Sequence, residues 1–422
     1  MNPPPPPPLP IAQAPAASLR WHRLAALNAL AFALGFASNT VEPAVLGHQV
    51  LDLAPGFKNT AFGLLTFAGL VVAVAWQPLI GDLSDRTRGR WGRRVPYFIG
   101  GSVLLVFSLL MITVAPSLVS LLGFLLLLQI AANTIQSPSQ ALIPDHVPSR
   151  QRGAAAGWKS VLEILAFVAG RRVSSNLVAD GETLKAAAVA GAVVLVCLVV
   201  VLLVARESSR QGDRPRFDLH RAFAFDRRAY PAFVPWFTNR VLLWGGFIAL
   251  STFMLFFVID VLGLSEANAQ RFVGDISTIM GLGLLLVALP AGWIADRIAK
   301  RHLVAISGVL AAGGTTLLIA FPTITTALIA ASILGLAVGV FLTTSWALAT
   351  QIVPEFQAAR MLGIANIATA AGSGLARLGG GLIIDPVNRL SGDPALGYFV
   401  LFGLAGLAFL LGTLAILRLP PD

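Results

Sequence analysis

The sequence predicts an all-α membrane protein with twelve transmembrane helices in two six-helix bundles. Three observations predict it. Of the 422 residues 56% are apolar and only 12% charged, so too little polar surface exists to cover a soluble core. The mean hydropathy of +0.79 is carried by apolar runs long enough to cross about 30 Å of hydrocarbon. The basic residues concentrate in every second connection between those runs.

In chain order, residues 1–19 form a disordered Pro-rich tail, opened by a six-proline run that favours an extended, unpacked chain. No small-residue cleavage site follows the first apolar run, so no signal peptide is expected. Helices are predicted over 20–42, 59–81, 96–115, 117–140, 154–177 and 186–205, then 231–259, 270–294, 302–321, 323–347, 358–384 and 395–418. Twelve spans put both termini on one side. The connections on that side hold most of the 30 Lys and Arg, which predicts a multi-pass protein of the cell (inner) membrane with cytoplasmic termini. The units are an N-terminal bundle at 20–205, a cytoplasmic linker with seven arginines at 206–230, a C-terminal bundle at 231–418 and a short tail at 419–422.

The net charge of +10 does not mark a nucleic-acid surface, because the basic residues sit between apolar runs and not on one amphipathic or aromatic-interleaved face. The single cysteine, Cys197, lies inside an apolar run, which excludes a disulfide framework and a cysteine metal cluster. Neither a metal nor a cofactor is expected.

The densest island of charge runs from Gly81 through Asp85-Arg86 and Gly92-Arg93-Arg94 to Pro96 and reads as a short loop between two spans. An echo, Asp296-Arg297, follows 211 residues after Asp85-Arg86. A second pair of segments matches at an offset of 206: Ala141-Leu142, Val147-Pro148, Gln151 and Gly157 against Ala347-Leu348, Val353-Pro354, Gln357 and Gly363. Two echoes at nearly one offset predict a doubled six-helix unit whose halves face each other across a central cavity, a transporter architecture.

On these residues the chain resembles the major facilitator superfamily. The hallmark is carried by Gly81, Asp85 and Arg86, then Gly92-Arg93-Arg94 after an insertion, and the longer form from Gln77-Pro78 to Val95-Pro96 is most like the glycoside and sucrose cation-symporter branch. The resemblance implies a major facilitator fold, alternating access, and a cavity lined by the first, fourth, seventh and tenth helices, flanked by the second, fifth, eighth and eleventh. The charged loop has a physical reading of its own. Arginines and a helix N-terminus can stabilise the Asp85 carboxylate, forming a conformational gate of Gly81, Asp85, Arg86, Gly92, Arg93, Arg94, Asp296 and Arg297 that holds the halves together in one state. Simple topology anchoring is the competing reading.

Polar groups at membrane depth are costly, so they are the default site candidates. Asn28, Gly35, Asn39 and Glu42 share one helical face in the first span; Gln129, Asn133, Gln136 and Gln140 do so in the fourth. Trp236, Asn239, Arg240 and Trp244 mark the seventh, Thr343, Trp346 and Thr350 the tenth, and Asn366, Thr369, Ser373 and Arg377 the eleventh. Amides and hydroxyls with indole faces nearby suit a polyhydroxylated ligand. Glu163, one turn from Lys159, leads the candidates for ion coupling, against the alternative of a structural i,i+4 pair. Glu42 and Asp275 are runners-up that also read as interfacial caps, and Arg377 is assigned to the ligand or to Asp275.

No catalytic constellation is present: the five histidines are scattered, without a zinc-site pattern, and no phosphate-binding loop occurs. The expected function is secondary active transport of a small polar solute, a sugar or glycoside, in symport with protons or another cation. The chain would act as a monomer in the lipid bilayer. A proton-coupled efflux antiporter for amphipathic compounds and a non-transporting sensor or assembly factor are the alternatives.

Overall fold

The computed structural model describes residues 18–88, 92–205, 231–295, 297–352 and 358–419. The start of the Pro-rich tail, the 206–230 linker, Asp296, and the echo residues Val353, Pro354 and Gln357 lie outside the described residues. Among these residues twelve helices are long and apolar enough to cross a bilayer. They are α1 Ala29–Leu53, α2 Lys58–Arg86, α3 Val95–Thr113, α4 Leu118–Gln140, α5 Arg152–Ala179 and α6 Thr183–Val204. The second set is α7 Phe233–Asp260, α8 Glu266–Ala295, α9 Lys300–Ala320, α10 Ile324–Ile352, α11 Ala358–Ser391 and α12 Leu396–Leu417.

Local chemistry sets several ends. Ser117 and Ser120 cap α4 reciprocally, each backbone N–H donating to the other's hydroxyl. Thr323 and Thr326 repeat that cap at the start of α10, 206 residues later. Pro96 sits in the first turn of α3, where its missing N–H leaves no intrahelical bond unmade.

The packing is equally duplicated. In the first half α1 lies on α5 and α6, and α3 on α4 and α6, with α2 on α4. In the second half α7 lies on α11 and α12, and α9 on α10 and α12, with α8 on α10. Each pair of the first half thus has its counterpart six helices later. Two further pairs, α2 on α11 and α5 on α8, join the halves, and they are also counterparts of each other.

Small residues let these inter-half crossings approach closely. A Cβ at Gly63 of α2 would stand 2.5 Å from the Arg377 carbonyl oxygen and 2.9 Å from the Cα of Gly381 in α11. A Cβ at Gly274 of α8 would stand 3.1 Å from the Cβ of Ser175 in α5. Gly63 and Gly274 are 211 residues apart and Ser175 and Gly381 are 206 apart, so the contact is one structural solution used twice. Aromatic packing backs the first crossing: Phe62 of α2 meets Phe256 of α7 edge to face at 5.3 Å. The outward faces are apolar, with Val119, Leu203, Leu286, Leu390 and Leu414 largely uncovered, as a bilayer requires.

The first span and the charged loop differ from the sequence reading. In place of one helix over 20–42, a short helix at Trp21–Leu27 leads through Asn28 into α1, which continues to Leu53. Glu42 is therefore inside the span and not at its end. Asp85 and Arg86 are not in a loop either; they form the last turn of α2, which runs to Arg86.

The α2–α11 crossing gives a test. Gly63→Val places a branched side chain against α11 backbone, an overpacking strain of about 1–3 kcal/mol in the conformation described. Spin labels at Gly56 and Ser391, in a Cys197→Ser background, are expected to report a longer mean distance in the variant; an unchanged distance distribution would show that this crossing does not hold the halves.

Candidate functional site

A cavity of about 350 Å³ lies between the halves, within the range of small-molecule sites. Its polar lining comes from α1 (Ser38, Asn39, Glu42), α5 (Arg171), α7 (Trp244, Ser251, Thr252) and α11 (Arg377), with Phe62, Phe167, Phe247 and Leu284 among its apolar walls.

The position of Glu42 follows from the residue after it. Pro43 has no N–H to donate, so the hydrogen-bond ladder of α1 opens over Val41–Val45 and Glu42 takes a non-helical backbone (φ −103°, ψ 127°). The side chain of Gln270, fully buried in α8, donates to the Ala44 carbonyl within this stretch. Irregular backbone at membrane depth is thus confined to the cavity wall, where polar partners satisfy it.

Glu42 Oε2 accepts from Arg377 Nη2 at 2.9 Å, and Arg377 Nη1 donates to the Thr66 carbonyl of α2 at 3.2 Å. Arg171 reaches the same cluster from the opposite half: Glu42 and Arg377 both act on it electrostatically. Its own hydrogen bonds go to neutral groups, Asn39 Oδ1 at 3.4 Å and Ser251 Oγ at 3.3 Å, and its guanidinium lies 5.3 Å from the centre of the Phe167 ring. Trp244 Nε1 donates to Ser373 Oγ at 3.0 Å, which fixes the indole against the cavity.

One turn before Trp244, Arg240 is buried in an aromatic cage. Its guanidinium lies 4.2 Å from the Trp346 ring centre, with Trp236 and Phe341 at 5.6 and 5.8 Å, and it donates to Thr369 Oγ1 and Ser345 Oγ. Among the described residues, cation–π attraction and two hydroxyls hold this guanidinium.

The other sequence-selected residues fall outside the cavity lining. Asn28 donates to the Leu24 and Ala155 carbonyls and Asn239 to Gly412 O, so these two amides tie helices together, while Asn133 donates to Gln129 O one turn back in its own helix. Trp236 donates to Ser345 O. Gln129 packs against Gly69, Thr343 is half-buried, and Gln136 and Asn366 are exposed. Lys159, half-buried, and Glu163, exposed, stand 3.5 Å apart as an i,i+4 pair and are not among the residues lining the cavity. Asp275 pairs with Arg172 across the α5–α8 crossing, which corrects the assignment of Arg377 to Asp275: Arg377 takes Glu42. Arg171, inside the predicted fifth helix but not selected from sequence as a site residue, is two turns before the end of α5 at Ala179. The signal that would have found it is its 206-residue spacing from Arg377, the offset of the second echo.

At the end of the molecule holding the α1–α2, α5–α6, α7–α8 and α11–α12 connections, polar contacts join the halves. Lys58 Nζ donates to Asp260 Oδ1 at 2.5 Å, Asn59 Nδ2 to Asp385 Oδ1 at 2.8 Å and Thr60 N to Asp385 Oδ2 at 2.7 Å. The Tyr398 hydroxyl lies 2.6 Å from Asp260 Oδ2 and 3.1 Å from Asn59 Oδ1. Arg271 pairs with Asp180, and His48 with Glu266. This end is closed.

At the opposite end the charged motif ties its own half together. Arg94 is fully buried and pairs with Asp145 at 2.7 Å and Asp85 at 3.8 Å, and Arg93 pairs with Asp145 at 2.5 Å. Arg86 pairs with Asp82, and Gly81 touches Ser137 of α4. Gly92 occupies the left-handed region (φ 87°), which a side chain would strain. These contacts staple α2, α3 and α4. Asp145, which the sequence reading did not select, is the acceptor they share.

Residues 49–416 match the family model described as MFS/sugar transport protein. Sucrose transport protein SUT1 of Oryza sativa subsp. japonica is 24% identical over 196 residues, covering 37% of this chain and 36% of that protein. Sucrose transport protein SUC3 of Arabidopsis thaliana is 27% identical over 204 residues, 40% of this chain and 34% of that one. The matching stretch thus spans about a third of the length of these curated relatives. A bacterial homologue of the human lysosomal transporter Spinster superposes with a TM-score of 0.72 at 18% identity, covering 95% of this chain and 99% of its own. A D-xylose-proton symporter does so with a TM-score of 0.71 at 15% identity, covering 94% and 97%. These structural likenesses show the fold, a multi-pass membrane architecture.

The closed end gives the second test. Asp385→Ala strips the acceptor from Asn59 Nδ2 and Thr60 N, a loss of about 1–3 kcal/mol per donor left buried. A cysteine at Ser38 in a Cys197→Ser background is expected to react faster with a membrane-impermeant maleimide applied from the Lys58 side than in the Asp385 parent; equal rates would remove this network from the closure.

Proposed function

We infer the function from one premise: the chain belongs to the MFS/sugar transport protein family. We propose that it is a secondary active transporter that carries a small polar, sugar-like solute by alternating access, in symport with protons. The observation that carries this reading is the cavity between two pseudo-equivalent halves, sealed at one end by inter-half hydrogen bonds and lined by groups suited to a polar ligand. The names of the sucrose transport relatives support the solute class. Each chain holds a whole cavity, so a monomer suffices.

The basic connections supply the orientation. The Arg93–Arg94 end belongs at the cytoplasmic surface by the positive-inside rule, so the sealed end faces outward and the conformation is inward-facing. The cell (inner) membrane, with cytoplasmic termini, is the location consistent with that assignment.

Glu42 replaces Glu163 as the coupling group. Glu163 is exposed and paired within its own helix, so a proton there would not alter the contact between halves. Glu42 sits in the cavity wall and holds Arg377 of the opposite half. A proton on its carboxylate removes the charge that binds Arg377, and so links protonation to the relation of α1 to α11. A metal cation is a poorer co-substrate here, because two guanidinium groups flank the carboxylate it would need.

Uptake into proteoliposomes tests the proposal. One proton per solute gives an accumulation limit of about tenfold per pH unit of imposed gradient. Wild-type protein is expected to accumulate sugars when the lumen is alkaline, whereas Glu42→Gln retains solute exchange and loses gradient-driven accumulation. Accumulation by Glu42→Gln would sink Glu42 as the coupling group, and export of solute against an inward proton gradient would turn the reading into antiport.

A further inference from the structure

The sealed end holds a chain of polar groups whose protons can be counted. Asp260, at the end of α7, takes Lys58 on Oδ1 at 2.5 Å and the Tyr398 hydroxyl on Oδ2 at 2.6 Å. The same hydroxyl lies 3.1 Å from the Asn59 amide, which reaches Asp385 Oδ1 at 2.8 Å, while Thr60 N holds Asp385 Oδ2. Tyr398, Asn59 and Asp385 are buried, and Phe257 meets the Tyr398 ring edge to face.

Between the two carboxylates run three contacts: Asp260 to Tyr398, Tyr398 to Asn59, and Asn59 to Asp385. With both carboxylates ionised only two groups in that chain can donate, the hydroxyl of Tyr398 and the NH2 of Asn59. If the hydroxyl donates to Asp260, the Asn59 carbonyl faces its lone pair and has no donor among the described residues. Turning the amide over moves the gap to Asp385 and does not close it. A buried acceptor without a donor is costly, and one is left whichever way the amide points.

The charges give the same shortfall independently. Two carboxylates share one cation, Lys58, because Arg389 is turned to the Gly56 carbonyl. The equivalent place between α5 and α8 is balanced: Asp180, 205 residues before Asp385, pairs with Arg271, 211 residues after Thr60. Thr60 offers Asp385 a neutral N–H where Asp180 meets a guanidinium.

Resting on the orientation and alternating access given above, we propose that the sealed outer end binds one proton, shared by Asp260 and Asp385 through Tyr398 and Asn59. On either carboxylate it supplies the third donor and cancels the excess charge. When the halves part, Lys58, Asn59 and Thr60 leave with α2. Water then solvates both carboxylates, Tyr398 keeps its bond to Asp260, and the proton returns to the outer medium. It is not carried across, so it is separate from the proton assigned to Glu42. Sealing takes up one proton, and the ratio of sealed to open forms falls by up to about tenfold per pH unit as the outer medium turns alkaline.

The other titratable groups near this lock differ in sign or are already paired. A proton on Glu42 releases Arg377 and so acts in the opposite direction. His48 lies between Glu266 of α8 and Asp52, and a proton there strengthens the seal in the same direction. Arg271 and Asp180 hold each other, and α10 brings no titratable residue to this end.

Spin labels at Gly56 and Ser391 in purified full-length protein read the sealed fraction as a function of pH. The background carries Cys197→Ser, Glu42→Gln and His48→Gln, so that neither Glu42 nor His48 contributes. The sealed fraction is expected to fall between about pH 5 and about pH 8. Asp385→Asn discriminates a proton from a purely structural carboxylate. Its NH2 donates to the Asn59 carbonyl once that amide turns over, which completes the chain without a proton and leaves Lys58 with Asp260. This variant is expected to stay sealed at alkaline pH and to lose the pH dependence, whereas a structural role predicts that it opens. A sealed fraction in the parent that does not change with pH would overturn the proposal, and so would an Asp385→Asn variant that opens or keeps the parent's slope. Either result leaves the transporter reading standing, since solute uptake tests that reading separately.

Discussion

The constraint on which this structure depends is the cost of charge away from water. Glu42, Arg171 and Arg377 sit in the middle of a protein whose outer faces are bare hydrocarbon, and each must be held by a partner or by the cavity. That requirement fits the break of α1 at Pro43, which presents Glu42 from a non-helical backbone, and the placement of Gln270, which comes from α8 to donate to the Ala44 carbonyl beside it. It also explains why irregular backbone occurs on the inside of the bundle and not on its lipid face.

Duplication supplies the frame for that site, and departure from duplication supplies its chemistry. Caps at Ser117 and Thr323, crossings at Gly63 and Gly274, and arginines at 171 and 377 repeat at nearly constant offsets. These are positions where backbone geometry or close approach decides the residue. Glu42 and Ser251 break the pattern at the cavity: Arg377 meets a carboxylate on α1, whereas Arg171 meets a hydroxyl on α7.

The helices were legible because apolar runs of bilayer length have few alternatives, and the predicted spans from α3 to α10 end within a few residues of the structure. The first span was not, because Glu42-Pro43 and the polar residues His48, Gln49 and Asp52 interrupt its hydropathy, while a helix packed inside a bundle tolerates them. That boundary error placed Glu42 at an interface and left Glu163 as the better candidate. The polar stripes misled for a different reason. An amide in a membrane helix can satisfy its donor on a carbonyl one turn back or on the next helix, as Asn28, Asn133 and Asn239 do, so polarity at helical spacing identifies an interior face without identifying a cavity. Asn39, Glu42, Trp244 and Arg377 line the cavity, while Arg171 went unselected because only the fold shows which face of α5 meets the cavity. The charged motif was legible as a motif, but Asp145, the acceptor shared by Arg93 and Arg94, lies about fifty residues away in sequence and only the fold brings it near.

The cavity and the closed end are parts of the same rigid elements, which gives a physical route between them. Arg377 and Asp385 are both on α11, two turns apart; one is held by Glu42, the other by Asn59 and Thr60 of α2. Glu42 and His48 are both on α1, and His48 reaches Glu266 at the start of α8. Between these lies the Gly63–Gly381 crossing, too tight for one helix to slide without moving the other. A change in the charge that holds Arg377 therefore acts on the same helix that carries the lock, and opening needs α11 and α2 to part as a unit. Such coupling requires two discrete packings and no special pathway, because close-packed glycine crossings resist continuous deformation. The lock is made of hydrogen bonds and ion pairs, which water can replace once the interface opens, so parting the halves at this end costs less than exposing an apolar seam of the same size.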